Sequence, residues 1–404
     1  MRRDPLIIGA GPAGTAAAIT LARAGCRPAL IERTTGPSDK VCGDFLSMDA
    51  IRHAQALGVD PAPLGAAPIR HIRLVHGERV AQATLPFPAL GLSRRSFDAA
   101  LLRHALAAGT VVHGGQTVRQ LTRDSVTFDA LAPDPLISPA PPISRDAPRS
   151  LAASQWTART GERTAFTADS VFLATGKHDL RDQPRPRADR GAIGMKMYFA
   201  LAPGPAKVLH DAIELTLFPG GYAGMQHVEN GQTVLCIAVQ RQVFQRYGGG
   251  WSGLIAQIEQ RSRRFAAMLA GARALLPRPL SVAGVPYGYQ TGSPAADGLF
   301  RLGDQAAVIP SLTGDGMAIA LHSGRTAAET WLAGADSAAY HRTLIQTLGP
   351  QMRLAGLLHH ACMSGSVQSA ITRTAKLFPS LLRQAAYRTR LPSRAALSDQ
   401  PAPA

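Results

Sequence analysis

Cysteine is scarce in this 404-residue chain, and the four present, Cys26, Cys42, Cys236 and Cys362, lack both CxxC spacing and a companion histidine pattern. That excludes a disulfide framework and a structural zinc site. No run of 18 or more apolar residues occurs, so nothing reads as a membrane-spanning helix. An apolar strand begins at Leu6, too early for a cleavable signal, and the expected location is the cytoplasm. Acids are also few, 27 against 43 Lys and Arg, for a formal charge of +16. No nucleic-acid motif accompanies that excess, so the expected partner is a small-molecule substrate and not nucleic acid.

The distribution of charge is more informative than its sum. From Ser337 onwards eight bases, Arg342, Arg353, Arg373, Lys376, Arg383, Arg388, Arg390 and Arg394, are opposed only by Asp399. Apolar Leu377, Phe378, Leu381, Leu382, Ala385 and Tyr387 interleave with them. Two readings fit: a basic helix packed on the body and broken at Pro379, or a helix lying on a membrane surface.

What the chain does have, at its start, is an apolar run (Leu6, Ile7, Ile8) followed by Gly9, Gly11, Pro12, Ala13 and Gly14 and an Ala-rich helical pattern to Arg23. This predicts strand, tight turn and helix. Gly9 permits the turn, Gly11 lets backbone approach a pyrophosphate, and Gly14 lets the helix pack closely on the strand. The helix N-terminus adds unpaired N–H groups and about half a positive charge. A second apolar strand, Pro28 to Ile31, closes on Glu32 and Arg33. The Glu32 carboxylate is placed to bond an adenosine ribose and would repel a 2′-phosphate, which excludes NADP as the nucleotide held here.

A second stretch, RLGDQAAVIPSLTGDGMAIAL at 301–321, reads as the far half of the same cradle. After a short strand from Leu299 to Leu302, Asp304 is placed to bond ribityl hydroxyls. Thr313, Gly314, Asp315 and Gly316 then bring a new helix N-terminus, near Met317, towards a flavin pyrimidine. That pairing points to FAD.

Between the halves, GLSRRSFDAALLRHALAAG (91–109) predicts a turn and an amphipathic helix with Phe97, Leu101, Leu102, Ala105 and Leu106 inward, and Arg94 or Arg95 near the cofactor. Residues 133–149 carry six prolines and read as a mobile excursion. Val171 to Ala174 form a strand with Thr175 and Gly176 at its exit. Alternating runs between 185 and 290 (AIGMKMYFAL, AIELTLF, TVLCIAVQ) predict an antiparallel sheet that binds substrate, with Met195, Met197, Phe199 and Phe218 hinting at an apolar interior. The expected organisation is therefore an α/β nucleotide domain in two parts (1–184 and 291–335), an inserted sheet domain (185–290) and a C-terminal helical segment (336–404).

Taken together, GAGPAG with Glu32, KVCGDFLS (40–47), LATGKHDLR (173–181), PGGYAGM (219–225) and GDQAAVIPSLTGDGMAIAL resemble the FAD-dependent oxidoreductases of the geranylgeranyl reductase and aromatic-hydroxylase superfamily. The resemblance runs through nearly the whole chain. It implies a glutathione-reductase-type Rossmann domain, a sheet roofing the flavin, FAD contacts at the residues named above, and Gly43 and Tyr222 near the ring. Aromatic hydroxylases carry an Asp-Gly pair where this chain has Thr175-Gly176-Lys177-His178, which leaves NAD(P)H at most a transient reductant. Trp156, Trp251 and Trp331 cannot form the WxWxIP motif of flavin halogenases. The leading expectation is a monooxygenase that hydroxylates an apolar or aromatic molecule after oxygen adds at flavin C4a. The alternatives are reduction of an alkene or prenyl chain, with a proton from Cys42, Tyr222 or His178, and partner-dependent electron transfer.

Overall fold

The computed structural model describes residues 4–124, 155–161, 165–186, 191–292 and 297–392, so the proline-rich stretch at 133–149 lies outside the described residues. The first half runs β1 (Leu6–Ile8), α1 (Pro12–Arg23), β2 (Ala29–Glu32), β3 (Phe45–Leu46), α2 (Met48–Ala56), β4 (Ala67–His76), β5 (Arg79–Gly91), α3 (Arg94–Ala107), β6 (Val111–Gly114), β7 (Val118–Asp124), β8 (Gln155–Thr160), β9 (Ala165–Ala168) and β10 (Val171–Leu173). The second half runs β11 (Ala192–Ala200), α4 (Pro203–Leu209), β12 (Ala212–Phe218), β13 (Gly221–His227), β14 (Thr233–Gln240), α5 (Arg241–Arg246), α6 (Trp251–Arg261), α7 (Arg263–Leu269), β15 (Arg273–Ala274), β16 (Leu280–Val285) and β17 (Leu299–Arg301). It closes with α8 (Gly316–Leu332), α9 (Ser337–Met363), α10 (Gly365–Leu377) and α11 (Pro379–Arg388).

A parallel sheet in the order β17-β10-β1-β2-β6 carries the nucleotide motif at its centre. Apart from the half-exposed edge strand β6, its strands are short apolar runs because both faces are covered. Ile7, Leu30, Phe172 and Phe300 pack towards α1, α3 and α8, whereas Leu6, Ile8, Ile31, Val171, Leu173 and Leu299 pack against Leu121, Trp156 and Ala158 of the small β7-β8-β9 sheet. Small residues let α1 and α8 approach closely: a β-carbon on Gly324 would lie 2.1 Å from the Ala13 carbonyl oxygen.

The larger sheet has the order β15-β11-β14-β13-β12-β4-β5-β3, with β16 also pairing β11. The expected antiparallel arrangement holds for β11 to β14, but β12 runs parallel to β4. Thus β3, β4 and β5, at positions 45–91, complete the sheet from a segment whose sequence reads as part of the nucleotide domain. The period of two decides what each face does. Met195, Met197, Phe199 and Phe218 bury themselves with Leu254, Ile258 and Phe265 under α6 and α7, so they are core and do not line the cavity described below. The intervening Gly194, Lys196, Tyr222, Gly224, Gln226 and Cys236 look the other way, towards the nucleotide lobe.

One smaller expectation changes. Leu106, expected inward, is 51% exposed near the end of α3. Of the four cysteines only Cys362 is buried, and Cys26, Cys42 and Cys236 are half-buried. The basic C-terminal segment follows α9 with two more helices: α10 stops at Leu377, and Pro379 opens α11, where its missing N–H costs nothing.

Candidate functional site

The cradle begins where β1 ends. Gly9 has φ +105°, and a β-carbon there would sit 2.4 Å from the Ala174 carbonyl oxygen; one on Gly14 would sit 1.9 Å from the Gly9 oxygen. These two glycines bring strand, turn and helix together, and neither lines the cavity below. Gly11 caps α1 without any side-chain hydrogen bond, so no side chain claims the first-turn amides. Over Gly11 lies the Arg94 guanidinium, fixed by Nε and Nη2 bonds of 2.8 and 2.7 Å to Asp98. Free amides, a helix N-terminus and a half-buried arginine are the groups that could hold a pyrophosphate. Glu32 accepts hydrogen bonds from the Ala10 amide (2.8 Å) and from the Thr34 amide and hydroxyl (3.1 and 2.9 Å), which fixes its carboxylate at the strand end. Arg33 beside it is exposed and Arg95 pairs with Asp39, so neither reaches the cavity.

The second half closes from the opposite side. Gly303, with φ +54°, packs on Ala13 and Ala320, which puts Asp304 at the cavity wall with its carboxylate 3.7 Å from Lys177 Nζ. Arg185 Nη1 donates to the Asp304 carbonyl oxygen at 2.7 Å. Gly314, with φ +69°, lies against the Phe45 ring, where a β-carbon would be 2.8 Å from a ring carbon. Helix α8 then starts at Gly316, one residue ahead of the predicted Met317, again without a side-chain cap. Its Asp315 turns inward. Fully buried, it accepts from Ser47 Oγ (2.7 Å), Gln351 Nε2 (2.5 Å) and Arg390 Nη1 (3.0 Å), so its side chain is a structural anchor and Asp315, expected to contact the cofactor, does not line the cavity.

One cavity of about 580 Å³ joins the two halves. Gly11, Pro12, Ala13, Cys42, Gly43, Arg94, Gly176, Asp304, Thr313, Gly314, Gly316 and Met317 line its cofactor end. β-carbons added at Gly43, Gly176 and Gly316 would meet nothing within 4 Å, so open space adjoins backbone there. The residues present fit FAD. Away from that end the wall is apolar: Leu74, Leu85 and Phe87 from the sheet, then Ile371, Ala375 and Leu382 from α10 and α11.

The wall also carries groups able to hold a proton. Cys42 lines the wall, its sulfur accepting from the Asp44 amide at 3.4 Å. Tyr222 is 3% exposed and shares a 2.5 Å hydrogen bond with Ser311 Oγ, which also meets Tyr287 Oη at 2.8 Å. Burial, and then the neighbouring Tyr287, push the Tyr222 hydroxyl well above its ordinary pKa, so it keeps its proton. His359 packs its ring edge near both tyrosines and is held neutral, with a pKa of about 4, by burial and by His360. His178 is exposed and does not line the cavity.

The sequence reading did not single out the network directly beneath Cys42 and Gly43. Asp44, in the left-handed region at φ +56°, is fully buried and ion-paired with fully buried Lys196 at 2.6 Å; Tyr198 donates to the same oxygen at 2.6 Å. The Asp44 carbonyl accepts from Gln226 Nε2 at 2.9 Å and from the Leu92 amide at 3.0 Å. Burial raises the Asp44 pKa, with Lys196 and Tyr198 acting against it. The signal was available in GMKMYF: a lysine within a wholly buried strand requires a carboxylate partner.

Comparison with known proteins supports FAD as the cofactor. Residues 2–135 match the family described as "FAD binding domain". The menaquinone reductase of Mycolicibacterium smegmatis is 27% identical over 367 residues, 85% of this chain and 80% of its own. Digeranylgeranylglycerophospholipid reductase 2 of Methanopyrus kandleri is 24% identical over 337 residues, 81% of this chain and 76% of its own. In fold, a flavoprotein/dehydrogenase from Cytophaga hutchinsonii superposes with a TM-score of 0.74 at 16% identity, covering 96% of this chain and 92% of that one.

Proposed function

The chain is an FAD-dependent oxidoreductase with an FAD binding domain, and from that premise we propose that it is a reductase saturating a carbon–carbon double bond in the isoprenoid chain of a quinone or lipid. One observation carries the reading. The cavity lined by the cofactor cradle is lined also by mostly apolar side chains that include Leu381 and Leu382 of α11, a polarity suited to a hydrocarbon and not to a small polar aromatic. Two relatives aligned over most of their length, named as reductases of menaquinone and of digeranylgeranylglycerophospholipid, support it. These considerations favour alkene reduction over the hydroxylation expected from sequence.

FAD, once bound and reduced by an external donor such as NAD(P)H, would supply a hydride. The cradle residues would orient it: first-turn amides of α1 and Arg94 would hold the pyrophosphate, Glu32 would serve the ribose, and Asp304 the ribityl chain. The apolar wall excludes water and aligns the double bond, whose two carbons take one hydride and one proton. Tyr222, through Ser311 and Tyr287, and Cys42 hold protons on the wall at Oη and Sγ, and either can deliver the second hydrogen and regain it from solvent.

The test is reduction of the protein without oxygen, followed by addition of a quinone or phospholipid bearing unsaturated isoprenoid chains. Expected are loss of the reduced-flavin spectrum and a product that gains two hydrogens. Tyr222→Phe and Cys42→Ser should retain the flavin spectrum, and the variant lacking the true donor should lose at least about tenfold in turnover. A product carrying added oxygen and formed only in air would overturn the proposal.

A further inference from the structure

We propose that the elbow between α10 and α11 docks the protein on an anionic lipid bilayer and that the cavity mouth opens there, so that the hydrocarbon substrate enters from the membrane. The inference deepens the reading above by naming the source of substrate, and its docking half does not depend on the reaction chemistry.

Three observations coincide at this place. First, large apolar side chains stand in the open: Leu377 is 68% exposed, Phe378 58% and Leu381 48%. They fall at the break made by Pro379 and on the following turn, so they project from one corner. Second, the corner is flanked by exposed Arg373, Lys376, Arg383 and Arg388, and among the described residues none of the four has a carboxylate partner. Asp399 is the sole acid beyond Asp336. Apolar tips ringed by cations match the two layers of an anionic bilayer, hydrocarbon beneath phosphate. Third, Leu381 belongs to the exposed corner and to the cavity wall at once, and Leu382, Ile371 and Ala375 continue that wall inward. An acidic protein partner would use the charges but leave this continuity with an apolar channel without purpose. No helix among the described residues is long and apolar enough to cross a membrane, so contact here is with the surface.

The experiment is flotation of the full-length protein with vesicles of phosphatidylglycerol and phosphatidylcholine, compared with vesicles of phosphatidylcholine alone. Binding should need the anionic lipid and weaken with salt, and each base removed from the set Arg373→Gln, Lys376→Gln, Arg383→Gln and Arg388→Gln should lower the partition coefficient roughly fivefold. Leu377→Ser with Phe378→Ser should lower it by at least about tenfold and leave the FAD absorbance unchanged. In parallel, turnover of an isoprenoid substrate is measured in detergent micelles and in anionic vesicles. The charge variants should lose vesicle turnover only. Wild-type protein that fails to float, floats equally with neutral vesicles, or is matched by the fourfold variant overturns the docking site; activity in micelles then still supports the reductase reading. Flotation as expected with no saturation of any isoprenoid substrate would overturn the reductase and leave the docking site standing.

Discussion

Replacing Lys196 with methionine isolates the contribution of the buried network under the cofactor loop. The substitution keeps much of the side-chain volume and removes the cation, leaving Asp44 fully buried with the Tyr198 hydroxyl, 2.6 Å away, and the Arg94 amide, 3.3 Å away, as its side-chain partners. An uncompensated buried carboxylate costs about 3–5 kcal/mol, because nothing in the interior replaces the lost hydration. With a urea slope near 3 kcal/mol per molar, the unfolding midpoint should fall by about 1 M or more. Asp44 also positions the backbone of Cys42 and Gly43, so FAD should dissociate more readily, read as recovery of free-flavin fluorescence on dilution. The double variant Asp44→Asn with Lys196→Met removes both charges and should regain at least half of the lost stability. A single variant as stable as the wild type, or a double variant no better than the single, would refute the argument that charge compensation, and not packing volume, holds this loop.

Asp49 gives a pH prediction. Burial, then the charge of Asp315, raise its pKa from 3.8 to about 6. A carboxyl with a raised folded pKa binds its proton more tightly when folded, so its contribution is most favourable below about pH 4 and falls by about 3 kcal/mol as pH rises to 6. Asp49→Asn should therefore be the more stable protein at pH 7, with its advantage vanishing near pH 4 in urea titrations; equal curves at both pH values would contradict this. Gly14→Ala places a methyl 1.9 Å from the Gly9 oxygen, and the purified variant should be colourless or nearly so by absorbance. Arg390→Met removes the partner of Asp315 and the donor to the Thr313 carbonyl, so FAD affinity measured by fluorescence titration should drop by at least about tenfold while the secondary structure seen by circular dichroism persists.

The cradle was legible in sequence wherever a local rule forces one residue type. Gly9 and Gly14 are examples, because only glycine tolerates the contacts of 2.4 and 1.9 Å found there. Glu32 was equally legible, as an acid closing an apolar strand. Where partners lie far apart, the sequence was silent. Asp44 meets Lys196 and Tyr198 about 150 positions on, and the apparent turn acid Asp315 meets Arg390 from the C-terminal helices. The extent of the large sheet was also hidden. Strands β4 and β5 carry Arg70, His71, Arg73, Gln82, Pro86 and Pro88 among their apolar residues, a mixture typical of a sheet with one face partly exposed, and their neighbour β12 comes from beyond position 200. Met195, Met197 and Phe199 were seen as apolar, but a pattern with period two does not say which face meets the site and which meets helices.

The clamp between Asp315 and Arg390 also bears on biosynthesis. A ribosome exposes the amino-terminal turn early, yet the loop carrying Thr313 and Gly314 gains its last tether only after residue 390 has left the exit tunnel. Until then the nascent chain has only half of its grip on the cofactor, and the second half closes when Arg390 reaches Asp315 and Thr313.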